Sequence, residues 1–181
     1  MDYDGNPKPA YNTHRRTAKP IVSSVTKEDG TYRVYVSHRG TTFVSASGRL
    51  YRYNIVTGEE EELCRTATIR LENESRAIVS IPADTVTLDR EWMLIFDLTS
   101  DAGDDRSYFL PLSLGQMAFV SRTAEDALYT VTETENAITV TANETIPVLL
   151  LDVPYLLSDN SMFLRRGECV TIYKQEDLSN G

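Results

Sequence analysis

The sequence predicts an all-β protein made of two tandem β-sandwiches. Three observations carry that expectation. Between Ile21 and Leu112 apolar residues recur with period two, the pattern of strands with one buried face. Turn-forming residues cut this region into about seven short strands, the spacing of a sandwich. From Leu114 to Lys174 the same pattern returns on a smaller scale.

In the first half, Tyr32, Val34 and Val36 alternate with Arg33, Tyr35 and Ser37. Tyr51, Tyr53 and Ile55 alternate with Arg52 and Asn54, and Ala67, Ile69 and Leu71 with Thr66, Thr68 and Arg70. Ala77, Val79 and Ile81 follow. Trp92 to Leu98 is apolar on both faces except at Asp97, which predicts a central strand with Trp92 in the core. Tyr108 to Leu112 is the last strand. The separators are Glu28-Asp29-Gly30, Ser47-Gly48, Thr57-Gly58, Glu72-Asn73-Glu74-Ser75 and Ser100 to Asp105. Thr57-Gly58 leads into Glu59 to Glu62, an exposed tip whose charge discourages edge pairing.

In the second half the expected strands are Met117–Arg122, Leu128–Glu133, Ala137–Ala142, Val148–Val153 and Cys169–Lys174, with a turn at Glu135-Asn136. The boundary between the halves falls near Ser113–Gly115, and the smaller core is expected to lean on the first domain. After Val153, Pro154 ends the ladder because it lacks an N–H. Ser158-Asp159-Asn160 forms a corner, Phe163 anchors it, and Gly167 supplies the positive φ of a tight turn before the final strand. The tail Gln175–Gly181 is polar and expected to fray. At the other end, Asn6 as N-cap and Pro7 at the first helical position predict a short helix that Pro20 stops.

Composition narrows the partners. The formal net charge is −9 and the pI near 4.7, which argues against a nucleic-acid or an anionic-membrane partner. No apolar run is long enough to span a bilayer, and the N-terminus does not read as a signal peptide. Cys64 and Cys169 read as small buried residues rather than a disulfide.

Candidate chemistry is sparse. His14 and His38 stand beside no nucleophile at a recognisable spacing; a helix face and a hairpin edge explain them. Asp101, Asp104 and Asp105 offer carboxylates to a cation but lack the spacing of a calcium loop, and a solvated turn accounts for them as well as for Glu59–Glu62. Tyr35, Tyr51 and Tyr53 are candidates for a sugar-stacking platform or for ordinary packing. Asn73-Glu74-Ser75 and Asn143-Glu144-Thr145 fit the glycosylation acceptor pattern. No catalytic residue, cofactor-binding residue or metal ligand is assigned.

A family resemblance adds to this reading. A strand followed by Ser158-Asp159-Asn160, Phe163, Gly167-Glu168 and a closing strand resembles the end of the C-terminal immunoglobulin-like domain of β-mannosidases of glycoside hydrolase family 2. The chain departs from that pattern at Ser161-Met162, where an aromatic is usual, and at Arg165-Arg166, where Leu-Pro is usual. At the other end, Asp4 to Tyr11, the basic residues Arg15 and Arg16, and Ala18-Lys19-Pro20 are similar to the segment that closes the family's catalytic (β/α)8 barrel.

The resemblance implies that residues 1–18 are the end of that barrel and a linker. Residues 19–112 are then a mannosidase-type immunoglobulin-like β-sandwich, and 113–181 a smaller one. It implies a parent that hydrolyses terminal β-mannosides with two glutamates. Those lie in the family's barrel, and none maps onto this chain. The expected role is a non-catalytic accessory region packed on its own barrel, without cofactor. The alternatives are an independent carbohydrate-binding or adhesion module with a glycan partner, or the same region of a β-galactosidase or β-glucuronidase relative. Compartment stays open, with a periplasmic or secreted parent favoured over a cytoplasmic one.

Overall fold

The computed structural model describes residues 18–119, 128–153, 157–159 and 162–175. The described protein is all-β, with several antiparallel sheets and two short 3-10 turns. The expected helix before Pro20, the corner residues Pro154 and Asn160, and the tail from residue 176 lie outside the described residues. The chain divides into two compact units, Lys19–Ala118 and the residues from Phe119 onward.

In the first unit, β1 (Ile21–Glu28) and β2 (Thr31–His38) form a hairpin closed by Asp29 and Gly30. Both turn residues have positive φ, 47° and 70°, the mirror-image turn that matches the twist of paired strands. The remaining strands are β3 (Val44–Asn54), β4 (Glu60–Arg65), β5 (Ile69–Leu71), β6 (Ser75–Pro82), β7 (Trp92–Ser100) and β8 (Asp105–Phe109). One sheet runs β1-β2-β6; the other runs β4-β3-β7-β8, with β5 also paired to β3.

Alternation along the strands sends Ile21, Val25, Tyr32, Val34 and Val36 of the first sheet against Val44, Ala46, Leu50, Leu94, Phe96 and Leu98 of the second. The Tyr32 ring meets Phe109 edge-on at 5.4 Å. One corner is tied by side chains: the Ser23 N–H and hydroxyl donate to the Asp105 carboxylate at 2.7 and 2.9 Å. The β3–β7 ladder is buried on its other face too, where Tyr51, Tyr53, Met93 and Ile95 are at most 1% exposed.

Two expectations for this unit are corrected. Ser47-Gly48 is not a separator; it lies inside the 11-residue strand β3. Gly48 is there because Phe96 of β7 crosses directly over it: a Cβ would stand 2.2 Å from the Phe96 ring. Trp92 is half-buried and outside the core, at the first position of β7, with the Arg52 guanidinium 4.4 Å over its ring. The core is filled instead by Met93 to Phe96, all fully buried.

In the second unit, β9 (Tyr129–Glu133), β10 (Ala137–Ala142) and β13 (Cys169–Tyr173) form a sheet in the order β13-β10-β9. β11 (Ile146–Leu149) pairs with β12 (Met162–Leu164). Ile138, Val140, Ala142, Ile146, Leu149, Leu157, Met162, Leu164 and Ile172 make the core. Gly167 turns the chain into β13 with φ 77°.

Three expectations change here. The strand expected at Val148–Val153 starts at Ile146 and ends at Leu149, because a register irregularity between Ile146 and Leu149 breaks the alternation and turns Val148 and Leu150 outward. The segment Met117–Phe119 is not a strand: it follows a 3-10 turn, Leu114–Gln116, closed by the Ser113 hydroxyl donating to the Gln116 side-chain oxygen at 2.7 Å. Ala118, the last residue of the first unit, donates its N–H to the Arg90 carbonyl of the same unit at 2.7 Å. Phe163 is half-buried, while Met162 and Leu164 point into the core; alternate strand residues face opposite ways, so the anchors flank the phenylalanine.

Candidate functional site

The densest arrangement of charge lies on the β3–β4–β7–β8 sheet. Its sequence origin is one acid in an apolar strand. Asp97 interrupts Trp92–Leu98, and the register sets it opposite Arg49 of β3 on one side and Arg106 of β8 on the other. Arg106 Nε donates to Asp97 at 2.6 Å, the Tyr51 hydroxyl donates at 3.0 Å, and Arg49 stands 3.7 Å away. Arg49 also donates to Glu60 of β4 at 2.8 Å and stacks on the Tyr51 ring at 4.1 Å. Burial pulls the Arg49 guanidinium down, but the Glu60 bond and charge, with Tyr51 and Asp97, outweigh it and hold it above its usual range.

Beside this network is a hollow of about 280 Å³ lined by Ser47, Gly48, Arg49, Arg65, Thr66, Asp97 and Thr99. The Thr66 hydroxyl accepts the Gly48 N–H at 2.8 Å and so shapes its rim. Two arginines and a phenol surround the Asp97 carboxylate, so it serves the sheet as a structural counter-charge. The sequence held the signal, a lone Asp in an apolar run, but not the register that brings Arg49 and Arg106 to it.

The residues singled out by sequence are scattered. Tyr51 and Tyr53 are 0% and 1% exposed, which overturns them as a sugar-stacking platform. Tyr35 is partly buried and donates to Glu28 at 3.0 Å. Glu28 is held below its usual range by the Thr26 hydroxyl first, then by Tyr35 and Arg33.

His38 is not on a hairpin edge. It ends β2, between β1 and β6, is 4% exposed, and has a backbone carbonyl oxygen at each ring nitrogen. His14 lies outside the described residues.

The acidic stretches serve the scaffold. Asp101 accepts the Ser45 N–H, and Asp105 ties β8 to β1. Glu60, Glu61 and Glu62 lie on β4 and pair with Arg49, Arg52 and Arg65. Among the described residues no three His, Cys, Asp or Glu side chains converge as metal ligands.

Asn73 sits exposed in a turn with φ 41°. In the other acceptor triplet Glu144 and Thr145 are buried, the former 3.7 Å from Arg166. Ser158 is bonded twice to Tyr173, by its N–H at 2.7 Å and through its hydroxyl at 2.9 Å.

The cysteines are both free. Cys64 is partly buried, and burial, then the Glu62 charge, push its thiol up. Cys169 is exposed, contrary to expectation, because it opens the edge strand β13.

Comparison with known proteins finds no matching family model and no matching curated protein. Among solved structures the chain is similar to part of the β-D-mannosidase from Dictyoglomus thermophilum. The match has a TM-score of 0.66 and 15% identity, and covers 97% of this chain and 22% of that one. At that identity the likeness describes the fold: the chain folds like the corresponding fifth of a β-mannosidase.

Proposed function

We propose that this chain is the non-catalytic C-terminal region of a β-mannosidase-like glycoside hydrolase. In this reading two tandem immunoglobulin-like domains, residues 19–112 and 113–181 by sequence, pack against a (β/α)8 barrel carried by the parent, whose end is residues 1–18. The barrel binds and cleaves terminal β-mannosides; the sandwiches brace it. The observation that carries the reading is the structural match over 97% of this chain to one part of a β-D-mannosidase. The likeness of Ser158-Asp159-Asn160, Phe163 and Gly167-Glu168 to the family's closing motif supports it.

The burial of Tyr51 and Tyr53 counts against a stand-alone sugar-binding module, because stacking on sugar needs an open ring face. Two measurements test the proposal. The genomic reading frame upstream of Asp2 should encode a barrel in frame; a different domain there overturns it. The purified chain should leave a chromogenic β-mannoside uncleaved, and turnover lost on mutating one of its own carboxylates would refute the accessory role.

A further inference from the structure

The hollow beside Asp97 originates in a break between two strand ladders. β3 is 11 residues long and changes neighbour along one side: residues 49–53 pair with β4, and residues 44–46 with β5. Ser47 and Gly48 fall between the two ladders. Thr66 closes the gap: its N–H donates to the Gly48 carbonyl at 2.9 Å, and its hydroxyl accepts the Gly48 N–H at 2.8 Å. Ala46 and Leu50 face the core, so alternation sends Ser47 and Arg49 to the opposite face of the sheet. The register then sets Thr99 across from Ser47 and Asp97 across from Arg49. The lining residues all belong to the first unit. We propose that this hollow binds a small hydroxylated carboxylate of the size of a uronic acid.

The charge of the lining selects an acid. Arg49 and Arg65 bring two guanidinium groups to the hollow, against the one carboxylate of Asp97. That carboxylate already accepts from Arg106 of β8 at 2.6 Å and from the Tyr51 hydroxyl at 3.0 Å. Arg49 donates to Glu60 through Nη2, and Arg65 to Glu62 through Nε and Nη2. A guanidinium carries five N–H donors, so each arginine keeps N–H groups for a further acceptor. Bonds from arginine to an ionised acceptor are roughly twice as strong as neutral ones, which favours a carboxylate over a carbonyl or hydroxyl oxygen.

Size and polarity select the rest of the ligand. A volume of about 280 Å³ lies at the lower edge of small-molecule sites, about 300–1,000 Å³, and suits a single sugar ring rather than an oligomer. Among the described residues the lining holds the hydroxyls of Ser47, Thr66 and Thr99 and no aromatic, Val, Leu or Ile side chain. Thr66 is committed to Gly48, whereas the Ser47 and Thr99 hydroxyls have no hydrogen-bond partner among the described residues. A hydroxyl both donates and accepts, so these two complement the hydroxyls of a ligand. An apolar body would find nothing to pack against.

Titration of the 15N-labelled chain with sodium D-glucuronate at constant ionic strength, followed by amide signals, tests the site. The expected result is a saturable shift of the Ser47, Gly48, Thr66 and Thr99 amides. D-Glucose keeps the ring without the acid, and acetate keeps the acid without the ring; each should bind about tenfold more weakly. Arg65 is exposed at the end of β4, so Arg65→Gln should fold as the unaltered chain does and bind glucuronate about tenfold more weakly. Arg33→Gln, on the other sheet, should bind it unchanged. Shifts that do not saturate, or that spread evenly over the surface, overturn the proposal. Glucose binding as tightly as glucuronate overturns it by removing the need for the acid. Inorganic sulfate binding as tightly does so by revealing an anion site with no use for hydroxyls. Full affinity in Arg65→Gln refutes it as well. If that variant fails to fold, Thr99→Ala decides: it should weaken glucuronate and leave acetate unchanged, and full affinity for glucuronate there refutes the site.

Discussion

The two units use the same alternating Val, Ile, Thr and Tyr alphabet and reach different results. In the first, the β3–β7 ladder is buried on both faces, by Leu50, Leu94 and Phe96 on one side and by Tyr51, Tyr53 and Ile95 on the other. In the second, β10 has an alternating half-buried pattern, and the fully buried core residues are aliphatic or Met. β9 is exposed at four of its five positions, including Val131 at 48%. The lesson is that strand pattern sets which face can be buried, while strand order sets how much is. An interior strand carries aromatic bulk on two faces, and an edge strand leaves even a valine in solvent.

Mutations make that contrast quantitative. The largest effect is expected from Phe96→Ala, which removes a fully buried ring from the interior strand and should cost about 3–5 kcal/mol. Urea unfolding followed by amide signals of the first unit checks it. Leu164→Ala, in the smaller core, should cost about 2–3 kcal/mol, the low end for aliphatic truncation. It should lower the midpoint of second-unit signals; equal losses in both units would show that the cores are not separate.

Gly48→Ala should cost about 1–3 kcal/mol by overpacking, because the new methyl overlaps Phe96. Combining it with Phe96→Leu should recover part of that loss, and a strictly additive double variant would show that the clash lies elsewhere. Ser158→Ala removes the acceptor of the Tyr173 N–H and should cost about 1 kcal/mol, confined to the second unit.

The smallest effects are chemical. Iodoacetamide at neutral pH should label exposed Cys169 well before Cys64, whose thiol is pushed up by burial and by Glu62. Equal labelling rates would mean that β4 does not shield Cys64. For Glu28 the direction of the pH effect follows from its lowered value. Its contribution is present above the unfolded carboxylate range and fades as pH falls through the lower folded value. Glu28→Gln should therefore flatten only the acid limb of the melting-temperature profile; a change confined to the alkaline limb would contradict the assignment.

Much of the fold was legible in sequence because strand period and turn chemistry are local. The Asp29-Gly30 turn, the Gly167 turn, the β9–β10 hairpin across Glu135-Asn136 and the interior run ending at Leu98 all follow from residues within a few positions of one another. What failed was decided across strands. Gly48 read as a turn until Phe96 was seen to occupy the space above it. Tyr51 and Tyr53 read either as ordinary packing or as an open platform, and strand order decided for packing. Trp92 and Phe163 read as anchors, but the neighbouring residues face the cores.

The charge network and the contacts of His38 have the same origin. Asp97 stood out as the one acid in an apolar run, but pairing register chose Arg49 and Arg106 as its partners from strands far away in the chain. His38 was one of two histidines in the sequence; only the return of the chain past Gly40, with Pro20 on the other side, set a carbonyl at each ring nitrogen. Sequence alone determined the class, the strand period and most turns, since these depend on steric preferences within a few residues. Tertiary structure decided burial, register and electrostatic partners, because each depends on which distant strand lies alongside.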